Sequence, residues 1–428
     1  MSDETKKTTT AAEMSADEVL KKYDKESNTR DPKGFWGILI SAVCILFAVF
    51  QLYTAIFGVL DAHLQRTIHL AFGLCLIFLL YPARKSWSRE KMNPLDVLFA
   101  VLSVGATMYL VVEYQELVLR AGMNTQQDII IGLIGTILIF EAARRTVGWP
   151  MIIVALVFVA YAFLGPYMPG IMAHRGVGFD ELVSHLYYTT EGIFGVPMGV
   201  SSTFIYLFIL FGAYLEATGL GRFFIDLANA LAGWAVGGPA KVAVLSSGLM
   251  GTVSGSSVAN VAGTGSFTIP MMKKLGYRPS FAGAVEAAAS TGGQLMPPVM
   301  GAAAFLMAEF VGTPYINIVK AAVIPAILYY TGIWLGVHYE AKKYGLKGTP
   351  REELPKFGPL LREKGHLAVP LIVIVYLLVS GYTPMRAALY AIGLTIVCAC
   401  LRKNTRITFR DFVNGLINGS KGVLGVLI

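Results

Sequence analysis

From Phe35 onward the sequence repeatedly offers apolar runs, most of them near the ~20 residues an α-helix needs to cross a hydrocarbon core of about 30 Å. A bilayer cannot hydrogen-bond exposed backbone, so runs of this kind dictate helices, whose N–H and C=O groups pair within the segment. One such run suits the buried helix of a soluble domain. Runs at 35–57, 66–82, 95–113, 128–143, 149–164, 199–218, 223–236, 315–338, 367–382 and 385–401 instead predict an all-α polytopic membrane protein. With only 14% of residues charged, little of the chain is left for a water-facing surface.

The charges that remain act as topology signals. Arg84, Lys85, Arg89 and Lys91 lie between the second and third runs, and Arg144 and Arg145 follow the fourth. Lys342, Lys343, Lys347, Arg351, Lys356, Arg362 and Lys364 form one later basic segment, and Arg402, Lys403 and Arg406 another. The intervening early loops carry only Arg66 and Arg120. Basic loops stay on the cytoplasmic side, which puts the N-terminus there too, in a plasma or bacterial inner membrane. Because these cations sit in short loops beside apolar runs rather than among aromatics on one face, the net charge of +8 does not point to nucleic acid.

Three regions follow. Residues 1–34 form a polar cytoplasmic tail without a cleavable signal, in which Ser15 and Glu18 fit a capping box. Residues 35–145 form a four-span module that returns to the cytoplasm, with Glu141 and Arg145 one helical turn apart as a wet ion pair. Residues 146–428 make up the rest, and within them Phe179 to Glu191 suits a helix lying along the interface. Cys44, Cys75, Cys398 and Cys400 fall in apolar runs and read as small hydrophobes. The stretch from Phe412 to Ile428 turns apolar again just as the chain stops, so a fragment of a longer protein is expected.

The chemistry concentrates between Ser246 and Ala304. Gly251, Ser254, Gly255, Ser256, Ser257, Asn260, Gly263, Thr264 and Gly265 crowd an otherwise apolar stretch. Glycines permit a tight turn and hydroxyls satisfy freed backbone groups, so the density predicts a helical hairpin that turns at membrane depth. Some 35 residues on, Ser290, Thr291, Gly292, Gly293 and Gln294 precede Pro297 and Pro298, which cannot continue an i to i−4 ladder. A broken helix with free carbonyls at Gly292 and Gly293 is expected there. Bare carbonyls and hydroxyls are hard oxygen donors suited to Na⁺, and a helix N-terminus attracts a carboxylate. Glu286 is placed equally well at the interface or as a proton or cation ligand, and Glu216 and Glu309 carry no assignment.

These residues resemble the large membrane subunit of tripartite ATP-independent periplasmic (TRAP) transporters, especially the TAXI type, in which small and large membrane subunits are fused. The resemblance runs from about Tyr188 to Glu340, through GGPAKVAVLSSGLMGTVSGSSVANVAGTGSFTIPMMKKLGYRP and FAGAVEAAASTGGQLMPPVMGAAAFLMAEFVGTPY. It implies elevator-type import of small, dicarboxylate-like organic anions driven by a Na⁺ gradient, with a periplasmic binding protein as partner. By motif, Ser254, Gly255, Ser256 and Asn260 with the carbonyls of Gly292 and Gly293 become Na⁺ contacts. Ser257, Thr264, Thr291, Gln294, Pro297 and Pro298 become substrate contacts. The four-span module resembles the fused small subunit. Residues 146–428 would then hold the first of two inverted repeats and the start of the second, and this polypeptide is not expected to transport alone.

Two other classes compete. A channel or structural component accounts for the spans but not for the hydroxyl-rich hairpin. An intramembrane protease needs facing Ser and His or paired Asp residues, and the histidines are expected to avoid the apolar centres.

Overall fold

The computed structural model describes residues 29–84, 87–402 and 404–428, so the Ser15–Glu18 capping box lies outside the described residues. Every regular element among them is helical. Six helices among them are long and apolar enough to cross a membrane: Phe35–Phe57 (α1), Ala62–Leu80 (α2), Pro94–Val112 (α3), Trp149–Tyr167, Val196–Ala217 and Tyr315–Lys343. The described residues divide into two compact units, 29–206 with 420–428 and 207–419.

In the first unit α1, α2 and α3 are followed by the short helix Tyr114–Leu119 (α4), by Gln126–Thr146 (α5) and by Trp149–Leu164 (α6). Helix α5 starts on a full capping box, Thr125 with Asp128, which satisfies two end amides reciprocally. Helix α3 starts on Asn93, whose side chain accepts from the Leu95 amide, with Pro94 preset for the first turn. The amphipathic segment expected at the interface is Phe179–Tyr188 (α7).

Two buried polar clusters tie this unit together. Asp96 is fully buried between Arg30 at 2.6 Å and Arg145 at 2.7 Å. Arg145 also holds Glu141 at 2.8 Å and the Tyr81 carbonyl at 3.0 Å. The Glu141–Arg145 pair thus forms as expected, but its arginine is buried rather than wet, because Asp96 supplies a second partner that no helical spacing in the sequence announces. In the second cluster the Gln51 amide meets His69 Nδ1 at 2.6 Å, and His69 Nε2 meets Ser201 Oγ at 3.1 Å. Ser201 opens a π-helical turn, Ser201–Ile205, and its side chain reaches His69 of α2.

His69 corrects the expectation that histidines avoid the apolar centres. The order serine, histidine, amide has the look of a nucleophile with its base. Yet Ser201, His69 and Gln51 are only 3%, 0% and 1% exposed, so the chain is closed to water and to substrate. It pins helices together.

The second unit holds Leu220–Ala232 (α8), Gly238–Ser254 (α9), Ser257–Leu275 (α10), Pro279–Thr291 (α11), Ala302–Val311 (α12) and Tyr315–Lys343 (α13). Phe357–Lys364 (α14), Val369–Val379 (α15) and Pro384–Cys400 (α16) follow, and Phe409–Leu427 (α17) runs from 409 in this unit to 427 in the other. Its core is built from small residues, with Ala240, Ala243, Ala282, Ala289 and Ala341 packed around Met272. Such side chains let helix backbones approach closely, which suits helices that cannot count on water to drive them together.

Candidate functional site

The hairpin forms where the glycines and hydroxyls predict it. Helix α9 ends at Ser254 on Gly255, which takes the left-handed conformation at φ +59°. Ser256 then caps α10, its Oγ accepting from the Ala259 amide at 3.3 Å. Gly255 has no alternative, because a Cβ there would meet the Met300 carbonyl oxygen at 2.3 Å as well as straining the backbone.

The interrupted helix also forms. After α11 the chain passes through one 3-10 turn, Gly292–Gln294, and an irregular stretch to Gly301 before α12 begins. The expected free carbonyls need correction: Gly292 O accepts from the Leu295 amide at 3.0 Å and Gly293 O from Met296 at 3.3 Å. The tighter turn recaptures carbonyls that the prolines would have left bare, and each keeps one lone pair. Gln294 O is taken by the Gly301 amide at 2.9 Å, and Tyr315 donates to Pro298 O at 2.9 Å and Val299 O at 2.6 Å.

Hairpin and broken helix meet backbone to backbone. A Cβ on Gly251 would lie 2.3 Å from Gly293 Cα, and one on Gly293 would lie 3.1 Å from Asn260 Nδ2. Asn260 is fully buried and donates to the Ser247 carbonyl at 2.8 Å, bracing α10 against α9. Gln294 reaches back to donate to Ser257 Oγ at 3.2 Å. The structure therefore brings Gly255, Ser257, Asn260, Gly293 and Gln294 together. Ser254 turns toward its own loop, donating to Ser256 O at 3.4 Å, and Thr291 is exposed and bonded to Ala287 O of its own helix at 2.7 Å. Thr264 faces inward but serves a different centre.

That centre is Glu286, fully buried and absent from the sequence-based site. Its Oε1 accepts from Ser247 at 2.8 Å, Thr264 at 2.5 Å and Ser290 at 3.1 Å, while Thr268 closes on Oε2. The absence of a side chain at Gly265 makes the room, since a Cβ there would sit 2.9 Å from Glu286 Cγ. Of the two placements left open for Glu286, the structure gives the buried one. Thr264 and Thr268, like Glu286 and Ser290, are four apart and share a helix face, but only the packing of the three helices joins the two pairs and Ser247.

This region falls within the match to a known family. The chain matches the DctM component of the tripartite ATP-independent periplasmic transporters over residues 134–428. It belongs to that family. Among its relatives, a C4-dicarboxylate TRAP transporter large permease protein DctM of Pseudomonas aeruginosa is 34% identical over 187 residues, covering 43% of each chain. An isethionate TRAP transporter permease protein DctMQ of Oleidesulfovibrio alaskensis is 32% identical over 215 residues, 48% of this chain and 33% of the relative. A sialic acid TRAP transporter large permease protein SiaM of Vibrio cholerae is 27% identical over 195 residues, covering 44% of this chain and 45% of the relative. The match covers about half the length, or less, of these curated relatives. This TRAP permease chain is accordingly a multi-pass membrane protein of a transporter family.

Proposed function

We propose that this chain acts in a secondary carrier that imports small, dicarboxylate-like organic acids handed over by a periplasmic binding protein. The N-terminus lies in the cytoplasm, the four leading spans act as a fused small subunit of the TAXI kind, and an elevator motion carries the hairpin across the membrane. The single observation that supports the reading best is the abutment of a hydroxyl-capped hairpin tip on a broken helix, Gly251 against Gly293, with Asn260 and Gln294 joining them. Interrupted helices offering carbonyls and a helix N-terminus at one point are how carriers hold a cation and an anion together. In this proposal Na⁺ travels at the tip, between Ser254, Gly255, Ser256, Asn260 and the remaining lone pairs of Gly292 and Gly293. The substrate carboxylate sits toward Ser257, Gln294 and Pro297.

The test is uptake by proteoliposomes holding the full-length permease and its binding protein. Replacing Na⁺ with choline is expected to reduce accumulation to background, and uptake unaffected by the exchange would overturn Na⁺ coupling. A second reading, in which H⁺ drives the carrier, is favoured by one specific feature, the buried carboxyl group of Glu286.

A further inference from the structure

Glu286 lies in α11 with every polar contact made to a hydroxyl: Ser247 from α9, Thr264 and Thr268 from α10 and Ser290 from its own helix. No Lys, Arg or His pairs with it among the described residues. On α9 the lysine is Lys241, at the far end and bonded to His338. On α10 the charges are Lys273 and Lys274, both exposed in the last turn, and ahead of α11 stands exposed Arg278, paired with Glu340. The 3-10 turn Gly292–Gln294 carries no titratable group. From α13 the nearest is Tyr330, whose hydroxyl donates to Ala289 O at 2.9 Å. An anionic carboxylate here would be a buried charge without a counter-ion, which is costly at any membrane or protein interior.

Two ligands neutralise a carboxylate, a metal cation and a proton, and the distances choose between them. A cation is held by oxygen lone pairs, whereas here the hydroxyl protons are directed at the carboxyl group itself, Ser247 donating at 2.8 Å and Ser290 at 3.1 Å. The oxygens are already within hydrogen-bond reach of each other, with Thr264 Oγ1 at 2.5 Å from Glu286 and 3.0 Å from Ser247 Oγ.

The proton inventory points the same way. Thr264 has one hydroxyl proton, yet its Oγ1 also lies 2.8 Å from the Asn260 carbonyl, which can only accept. Thr268 has one as well, and its Oγ1 lies 3.1 Å from Thr264 O in addition to Glu286. If either threonine donates to its own helix carbonyl, its contact with the carboxyl group lacks a hydrogen. One proton on Glu286 supplies it.

We propose that Glu286 is a proton-binding site: its carboxyl group is protonated while α9, α10 and α11 are packed together, and passes the proton to water when they separate. That use in a transport cycle rests on the proposed carrier function, whereas the protonation state does not. Infrared spectroscopy of the full chain in lipid nanodiscs at neutral pH tests it without substrate or partner. A carbonyl stretch of a protonated carboxylic acid is expected in the wild type and is expected to be lost in Glu286→Gln, which keeps the shape and a hydrogen-bond donor. Should that variant fail to fold, Thr268→Val is expected to move the same band to higher frequency by removing one hydrogen bond. A wild-type spectrum with no acid band, a band that neither variant changes, or a band that disappears on adding NaCl in place of choline chloride would overturn the proposal. Failure of the chain to support uptake would leave the band in place, so the two failures are distinguishable.

Discussion

At the scale of single residues, the sharpest constraint in the site is steric. Gly251 faces the main chain at Gly293, which cannot swing aside as a flexible side chain can, so Gly251→Ala is expected to destabilise by about 1–3 kcal/mol, the range for overpacking. Gly263, in the same hairpin, has nothing within 4 Å of a Cβ position. Gly263→Ala should therefore leave stability unchanged or raise it by up to about 1 kcal/mol, since alanine is the better helix former. Thermal melts of the two purified variants in one detergent check this, and equal melting temperatures would contradict the contact. The contrast also marks the limit of what these residues reveal in one dimension. The glycine density announced a close approach, but nothing distinguished Gly251, which meets a backbone, from Gly263, which meets open space. Glu286 was illegible for a related reason: its four hydroxyl partners come from three helices, and a carboxyl group near an apolar run reads equally well as interfacial until those helices are assembled.

At the scale of elements, the punctuation was written locally and could be read. Gly255 with Ser256 ends one helix and caps the next, and Pro297 with Pro298 marks the far side of the break after Thr291. Helix α1 occupies the run expected of it, Phe35–Phe57. Helix α2 starts at Ala62 rather than 66, because its first turn is polar and hydropathy registers only the apolar part of a helix. Partnership between elements was not legible: neither the Arg30–Asp96–Arg145 cluster nor the pairing of His69 with Ser201 follows from any spacing. The hairpin yields a local test. Ser256→Ala removes the acceptor of the Ala259 amide and should cost about 1 kcal/mol, the usual loss at an N-cap. Hydrogen exchange is expected to quicken in the first turn of α10 and to stay unchanged in α11; uniform quickening across both would mean that the cap is not what holds the tip.

At the scale of the whole molecule, the arrangement of charge along the chain makes a claim about sidedness that needs no contact between the units. The loop after α4, residues 120–125, carries a single arginine, Arg120, and that arginine is engaged by Asp128 at 3.0 Å. The segment between α13 and α14 carries Lys347, Arg351 and Lys356, and Arg351 stacks over Trp234 within its own unit at 5.0 Å. On the proposed topology, retention of Lys and Arg on the cytoplasmic side would place the second segment inside and the first outside. Single cysteines at two exposed positions, Ala121→Cys and Glu352→Cys, read this directly in a parent chain whose exposed Cys400 and half-buried Cys75 are first replaced by serine, Cys44 and Cys398 being buried. In intact cells with a permeable outer membrane, a thiol reagent that cannot cross the inner membrane is expected to label Ala121→Cys at once and Glu352→Cys only after lysis. Labelling in the reverse order would invert every span, and would put the outward-facing loop of the four-span module, and with it any docking of a periplasmic partner there, on the wrong side of the membrane.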